Sequence, residues 1–522
     1  MAGARGTQAV RAADAAPPST EPATARPSRR TSRVDLALVG IVALGAVLRL
    51  WSLGRQSLWY DEWMTTEAIG DGWRDLASNV ANRDGLPLPY FVLLRPWSRL
   101  FGVSEAALRL PSALAGIAAI PAAYAAGREL RLPRAAGRLA ALLVAVHPTL
   151  VWYSQEVRSY SFLVLFGALS IWAVARVLND GTTRSYLLWG AVGAGLVGAH
   201  YYGTFLVVAG AAALLLLRRH EWRRLAVGSV PVVLMLALMA PIATRQRAND
   251  PGRWIESFAL ADRLEDAGRS ALDGPNPVRA SAWIVVLAVV AIAGVLAVRA
   301  DPVHRRAAAV AGAVGGGAAG LAVAADVLHA NALVSRYLLA SLVPLIIAAA
   351  AALTALGRRV ATVGACLVVG ILLATTVIGS TDADLQKPGW REVAEIAATG
   401  RDDRVLVVDT HRMLAQPLLH YLDPARPIGP DEQLAVEQID ILVVERMDAR
   451  CNFLVGRACS LLFLGAPLPA PLADRFTLER TYELDQFTVE RYTARSRVVV
   501  RPGDLVPPDS VPTALLIATG AG

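Results

Sequence analysis

Two adjacent carboxylates, Asp61 and Glu62, follow the first strongly apolar segment of the sequence and are flanked by Trp59, Tyr60 and Trp63. If that segment spans a membrane, both acids lie just outside the bilayer, where a carboxylate loses hydration and needs a partner or a task. Such a group can accept a proton from a hydroxyl or ligate a divalent cation. The alternative is a pair of solvated interface charges.

A second polar cluster follows a later apolar segment and contains Glu156 and Arg158. An arginine at a membrane exit is suited to holding a lipid phosphate through paired hydrogen bonds. A local ion pair is the alternative, although residues two apart do not share a helix face. Further polar candidates follow or precede other apolar segments: Asp84, Tyr90, His200, Arg336 and Tyr337. A lone histidine at a helix end is more often structural, so His200 and His329 are secondary candidates.

The composition indicates a polytopic membrane protein, because 55% of the 522 residues are hydrophobic, 18% are charged and the mean hydropathy is +0.44. The net charge is +8, and Lys387 is the only lysine beside many arginines. That bias indicates a GC-rich, bacterial genome. The arginines are scattered among short loops and form no single face, which argues against nucleic-acid binding.

Residues 1–33 are rich in Ala, Pro, Arg, Ser and Thr, and they predict a disordered cytoplasmic tail. The apolar run at 34–53 predicts an uncleaved signal anchor. Arginine-rich connections alternate along the chain, which predicts a cytoplasmic N-terminus and an extracytoplasmic site. Ten more spans are predicted, giving eleven in total: 110–127, 137–153, 160–178, 185–200, 203–217, 225–243, 282–298, 307–328, 336–356 and 360–380.

The first outer loop, residues 54–109, has apolar residues at helical spacing and predicts two helices along the membrane surface. Residues 34–380 would then form one all-α transmembrane domain. Residues 381–495 predict a small extracytoplasmic α/β domain, followed by an irregular tail at 496–522. Its expected elements are strands at 404–409 and 440–444, a helix at 412–422 and a strand pair within 476–493.

Two cysteines, Cys451 and Cys459, lie close together in this C-terminal part. In an extracytoplasmic domain they would form a disulfide, and two buried thiols are the equal alternative. The domain has no glycine-rich phosphate loop, so we expect a lid, an acceptor-binding role or a scaffolding role.

The ordered motifs resemble the polyprenyl-phosphate-dependent glycosyltransferases of the GT-C fold, which include bacterial relatives of the protein O-mannosyltransferases and of the lipid A aminoarabinose transferase. The resemblance covers about residues 34–420. It rests on the following stretches: Ser57-Leu58-Trp59-Tyr60-Asp61-Glu62, Asp84 with Pro87 and Tyr90, Phe101-Gly102, Leu108-Arg109-Leu110-Pro111-Ser112, Tyr153-Ser154-Gln155-Glu156-Val157-Arg158, His200-Tyr201, Ser335-Arg336-Tyr337 and Pro388-Gly389-Trp390-Arg391.

The resemblance implies that Asp61 is the main catalytic candidate, with Glu62 beside it and Glu156 in the second loop. It implies that Arg158 and Arg336 face the lipid phosphate or the acceptor. The remaining binding candidates are Tyr60, Asp84, Tyr90, His200 and Tyr337. Some relatives bind a divalent metal ion here, but this chain has Leu86-Pro87-Leu88-Pro89 where many have a histidine or similar residue, which weakens a metal site in that loop.

The expected activity is the transfer of a sugar, foremost mannose, from a polyprenyl-phosphate donor in the membrane lipids to an extracytoplasmic glycan, lipid or protein. The alternatives are an arabinose or other pentose donor, a lipid or polysaccharide flippase or transporter, and a non-catalytic scaffold. A transporter is expected to bury ionisable groups near the midplane of broken helices, whereas the predicted spans here are nearly free of them.

Overall fold

The apolar segments form helices, because a chain in hydrocarbon must satisfy its backbone hydrogen bonds within each segment. A computed structural model describes residues 35–70, 72–83, 85–249, 255, 258–274, 282–297, 301–330, 333–401, 403–408, 412–422, 425–429, 431–443, 468–484, 487–506 and 515–519. The helices of the first half are α1 (Leu36–Leu50), α2 (Tyr60–Gly70), α3 (Trp73–Arg83), α4 (Leu88–Phe101), α5 (Glu105–Glu129), α6 (Arg134–Val146), α7 (Pro148–Trp152), α8 (Tyr160–Asp180), α9 (Thr183–Ala199), α10 (Gly203–Leu217), α11 (Trp222–Gly228) and α12 (Val230–Asn249).

The second half continues with helices and then forms a sheet. Its helices are α13 (Leu260–Asp273), α14 (Ala282–Ala297), α15 (Pro302–Ala325), α16 (Leu339–Thr354), α17 (Arg358–Thr381), α18 (Trp390–Ala398), α19 (Arg412–Tyr421), α20 (Ala470–Ala473) and α21 (Pro502–Leu505). Its strands are β1 (Arg404–Val408), β2 (Ala425–Pro427), β3 (Leu434–Val443), β4 (Thr477–Glu483), β5 (Thr488–Val500) and β6 (Leu515–Thr519). Short 3₁₀ turns lie at Tyr153–Gln155, Arg219–Glu221, Ser335–Leu338 and Ala383–Leu385, and a π turn lies at Asp326–Ala330.

Several helices are long and apolar enough to cross a membrane, so the multi-pass character expected from the sequence is confirmed. Within the described residues, five helical stretches meet this test alone: Glu105–Glu129, Tyr160–Asp180, Pro302–Leu328, Ser335–Thr354 and Arg358–Thr381. The number rises to seven if α6 with α7, bent by 59°, and α10 with α11, bent by 112°, each count as one span. A helix occurs at each of the eleven predicted positions, but the number of eleven spans and their orientation stay predictions.

The loop between α1 and α5 contains three helices, where the sequence predicts two. The periodic apolar residues around Ile69 and Trp73 are divided between α2 and α3, with Gly70 and Gly72 at the break. Glycine at such a point favours a break because it has the largest conformational freedom to lose. α4 begins after Pro87 and ends at Gly102, which has φ of +88°.

Close contacts between backbones hold the helices together. A Cβ atom on Gly190 of α9 would lie 1.7 Å from the carbonyl oxygen of Gly228 in α11, so only glycine permits this approach. Arg49 of α1 is fully buried and donates to the carbonyl oxygens of Val144 (2.9 Å) and Ala145 (2.8 Å) at the end of α6. It therefore satisfies acceptors that a helix end leaves unpaired.

The C-terminal sheet has six described strands in the order β2-β6-β1-β3-β5-β4. β1 and β3 are parallel, with Arg404 opposite Gln438, and the other pairs are antiparallel. The predicted small α/β domain is therefore present. The expected irregular tail differs from the structure, because β5 runs to Val500 and β6 pairs with β1 inside the sheet. The apolar run Leu515–Ile517 pairs with the buried strand β1, and a pairing between such distant segments cannot be recognised from the local sequence.

The segment after α17 attaches this sheet to the first loop. Arg391 donates from its backbone nitrogen to Ser57 Oγ (3.0 Å) and from Nη2 to Glu105 (2.9 Å). The Tyr421 hydroxyl donates to Glu105 (3.0 Å) and accepts from the Leu58 nitrogen (2.7 Å). The described residues from position 37 onwards form one compact unit.

Candidate active site

Glu62 is the most heavily bonded carboxylate of the site. It lies in the first turn of α2, has no solvent exposure, and receives Arg109 Nε on Oε1 (2.8 Å) and Arg109 Nη2 on Oε2 (2.7 Å). The backbone nitrogen of Val157 (2.9 Å), Lys387 Nζ (3.2 Å) and the backbone nitrogen of Trp59 (3.3 Å) complete its partners. A carboxylate with five donors is held in place and has little capacity left for a substrate.

The same interactions govern the protonation of Glu62. Burial by itself raises the pKa of Glu62, but the charges of Arg109 and Lys387 and the hydrogen bonds outweigh it and lower the pKa to about 2. Glu62 therefore stays ionised at neutral pH. It is too weak a base to take a proton from a hydroxyl group.

Asp61 precedes Glu62 but has different surroundings. Its side chain keeps 15% exposure, and Oδ2 lies 3.8 Å from Nη2 of Arg336 while accepting no hydrogen bond from any described residue. Arg158 Nη1 donates to the main-chain oxygen of Asp61 (3.2 Å) and to Thr65 Oγ1 (3.0 Å). The fold thus brings Asp61, Arg158 and Arg336 together from three separate segments.

Glu156 is the third predicted carboxylate, and it is 1% exposed. Its Oε1 accepts from Trp152 Nε1 (3.0 Å) and lies 3.8 Å from Lys387 Nζ, whereas its Oε2 has no hydrogen-bond partner among the described residues. Burial raises the pKa of Glu156, and the charge of Lys387 offsets this rise only in part. The resulting pKa is about 7. The three acids of the site therefore have three different environments.

The remaining predicted residues that the structure describes are mostly aromatic: Tyr60, Tyr90, His200 and Tyr337. Tyr90 is buried, with its hydroxyl 3.4 Å from Ser112 Oγ, and Tyr60 packs on Trp63 with ring centres 5.8 Å apart. His200 is buried beside Tyr337, at a ring distance of 4.6 Å, and its Nδ1 accepts from the Tyr202 backbone nitrogen. His200 Nε2 has no hydrogen-bond partner among the described residues, and the place of His200 as a secondary candidate stays a prediction.

Four candidates lie outside the described residues: Asp84, Cys451, Cys459 and the side chain of His329. Within the described part of the chain, no three carboxylate, imidazole or thiol groups converge in a way that would hold a metal ion.

Three site residues were missed in the sequence. The sequence predicts no role for Arg109, although it belongs to one of the motifs, or for Lys387. Asp266 on the buried face of α13 is 2% exposed, and it interacts with Ser335 and Arg336. The signal for Lys387 is its position as the only lysine, next to Pro388-Gly389-Trp390-Arg391. Asp266 has no such signal.

Sequence comparison relates the central part of the chain to a family of transferases. Residues 87–244 match the family described as dolichyl-phosphate-mannose-protein mannosyltransferase. Human protein O-mannosyl-transferase 1 is 26% identical over 227 residues, which are 38% of this chain and 30% of the human protein. The chain thus matches less than a third of the human protein's length.

Structural comparison covers much more of the chain. The crystal structures of ArnT from Cupriavidus metallidurans, in the apo state and bound to undecaprenyl phosphate, each have a TM-score of 0.53. They cover 87% of this chain and 97% of ArnT, at 13% and 14% identity. The similarity at this identity is one of fold, and it confirms the resemblance to GT-C proteins drawn from the sequence motifs.

Proposed function

We propose that this protein, which has the GT-C fold, is an integral membrane glycosyltransferase that moves a sugar from a polyprenyl-phosphate donor to an acceptor hydroxyl outside the membrane. The observation that carries this proposal is the contrast between Asp61 and Glu62. Glu62 accepts hydrogen bonds on both of its oxygens, whereas Asp61 Oδ2 accepts none from the described residues and lies 3.8 Å from Arg336.

Asp61 is the base in this proposal. The oxygen of the acceptor hydroxyl bonds to the anomeric carbon while the bond from that carbon to the phosphate oxygen breaks. The hydroxyl proton passes to Asp61, and the electron pair leaves with the polyprenyl phosphate. A single displacement of this kind inverts the anomeric configuration.

The buried arginines answer the charge that develops on the leaving phosphate. The Arg336 side chain is 11% exposed and Arg158 is 5% exposed, so little water screens their charges. A guanidinium group binds phosphate oxygens through paired hydrogen bonds and stays charged. Preorganised cations in a site that excludes water stabilise such a charge better than water does.

The donor sugar is proposed to be mannose, because the matched family is described as a dolichyl-phosphate-mannose-protein mannosyltransferase. A pentose such as arabinose is the alternative. The acceptor is proposed to be an envelope glycan, lipid or protein, and the site is proposed to face the outside, with the N-terminus in the cytoplasm.

The test is sugar transfer by membranes that contain the wild type, Asp61→Asn or Glu67→Gln, with radiolabelled polyprenyl-phosphate-mannose and a mixed pool of envelope acceptors. Glu67 is the matched control, because it is an exposed carboxylate on the same helix. Loss of the base is expected to lower transfer by about 10² to 10⁴-fold in Asp61→Asn, while Glu67→Gln keeps wild-type transfer.

A parallel assay with polyprenyl-phosphate-arabinose decides between the two donor sugars. Equal labelling by wild type and Asp61→Asn, with both proteins folded and both donors tried, would reject Asp61 as the base. Movement of an intact lipid or glycan across the membrane without a new glycosidic bond would favour the transporter.

A further inference from the structure

Lys387 lies between two buried carboxylates of the site, Glu62 and Glu156. It is the single lysine among 51 lysine and arginine residues. Its side chain is 5% exposed, and Nζ lies 3.2 Å from Glu62 Oε2, 3.2 Å from the Gln155 carbonyl oxygen and 3.8 Å from Glu156 Oε1. An ammonium group is compact and has three donors, so it can donate to Glu62 and to the Gln155 carbonyl oxygen while its charge lies near Glu156.

The two carboxylates beside Lys387 need it to different extents. Glu62 already has both nitrogens of Arg109 and the Val157 nitrogen, so its charge stays compensated without the lysine. Among the described residues, Glu156 accepts a hydrogen bond only from the neutral indole of Trp152, and Lys387 is the one cation within 4.0 Å of it. A buried carboxylate that loses its only adjacent cation becomes protonated, because burial disfavours the charged form.

We propose that Lys387 is a positioning residue that shifts Glu156 towards its carboxylate form, with Glu156 Oε2 left available to substrate. The proposal rests on the function proposed above and specifies the protonation state of Glu156 during sugar transfer. Lys387 lies between α17 and the C-terminal sheet, where Arg391 fixes the same segment to Ser57 and Glu105.

Several other groups act on Glu156 and belong to the same electrostatic balance. Glu62 and Asp61 favour its protonated form, and Arg336 favours the carboxylate. The phenol groups of Tyr153 and Tyr90 also interact with it. Lys387 is the cation with the largest effect in this set, so its removal is expected to move the protonation of Glu156 further than any other single neutralisation of a cation.

The first experiment follows the protonated carboxyl group of Glu156 by infrared absorption across pH, without donor or acceptor. Each spectrum is taken as the difference from the same protein carrying Glu156→Gln. Lys387→Met is expected to raise the midpoint by about one pH unit or more, because an opposite charge at this distance changes a pKa by about one to three units. Lys387→Arg, which keeps the charge, is expected to stay near the wild-type midpoint.

Arg391→Met is the matched control. It removes a cation from the same segment and loosens the same attachment, but Arg391 pairs with Glu105 and not with Glu156. Its midpoint is expected to equal that of the wild type. An unchanged midpoint in Lys387→Met, or an equal rise in Arg391→Met, would overturn the proposal. Lys387→Gln serves as a second neutral variant if the methionine variant does not fold.

The second experiment measures the pH dependence of sugar transfer. In Lys387→Met the acid limb is expected to move to higher pH, which lowers transfer near pH 7 by about tenfold and restores it at alkaline pH. A loss that is equal at all pH values would mean a structural role alone and would overturn the assignment. The infrared result needs no transfer, so an inactive wild type would reject the proposed function while leaving the Lys387 assignment to be judged by the midpoints.

Discussion

Replacing Glu62 by glutamine tests the division of labour between the two adjacent acids. The substitution preserves the shape of the side chain and removes the charge that holds Arg109 and Lys387, which have 1% and 5% side-chain exposure. Two buried cations then lose their shared carboxylate. We expect Glu62→Gln to destabilise the protein strongly, and Asp61→Asn to leave its stability almost unchanged.

The magnitude follows from the pKa of Glu62, which falls from 4.5 to about 2. Each pKa unit corresponds to about 1.4 kcal/mol, so the surroundings favour the ionised over the protonated form by about 3 kcal/mol. Removing one partner from a buried ion pair costs about 3 to 5 kcal/mol, which agrees with this value. Because the folded pKa is depressed, this stabilisation is fully present above about pH 4.5 and is lost as the pH falls towards 2.

The assay is unfolding of both purified variants in detergent at pH 7, followed by tryptophan fluorescence and size-exclusion chromatography. Asp61→Asn provides the matched control, since it neutralises the neighbouring carboxylate on the same helix turn. A free energy of unfolding for Glu62→Gln within about 0.5 kcal/mol of that for Asp61→Asn, which is typical of surface substitutions, would refute the reasoning. So would a Glu62→Gln protein of wild-type stability that has lost transfer, because Glu62 would then act on the substrate.

Two further substitutions test the packing of the helices and of the sheet. Gly190→Ala is expected to destabilise the helical part by about 1 to 3 kcal/mol, because the new Cβ would meet the Gly228 carbonyl oxygen. Gly40→Ala is the control, because its Cβ has open space and the substitution is expected to be neutral. Thermal unfolding of both variants in detergent checks this. Arg491→Met is expected to destabilise the C-terminal sheet by about 3 to 5 kcal/mol, because buried Asp440, now 2.9 Å from Arg491 Nε, would lose this ion pair and keep the neutral Gln438 amide as a donor. Limited proteolysis across a temperature series checks this.

The fold was predictable where its signal was local. The apolar runs and their lengths indicate membrane helices, and the runs at 404–409 and 440–444 indicate the two central strands that the structure has as β1 and β3. β6 was not predictable, because its pairing with β1 joins residues more than a hundred positions apart. The break between α2 and α3 was missed because the apolar period continues across Gly70 and Gly72.

The candidate site divides in the same way. Residue types and places beside apolar segments indicate five candidates: Asp61, Glu62, Glu156, Arg158 and Arg336. The structure brings Asp61 near Arg336 and ties Arg158 to the backbone of Asp61. The roles of Asp61 and Glu62 could not be separated in the sequence, because both are acids in the same motif.

The sequence by itself therefore determined the class of protein and the acids and cations available to it, since hydropathy and motif order are properties of single segments. Only the tertiary structure decided that Glu62 is held by buried cations and that Asp61 Oδ2 has no hydrogen-bond partner among the described residues. Arg109 comes from α5 and Lys387 from a segment 325 residues after Glu62, and both converge on that one carboxylate. Charge compensation in a buried site depends on distances through space, which the residues adjacent in the sequence do not determine.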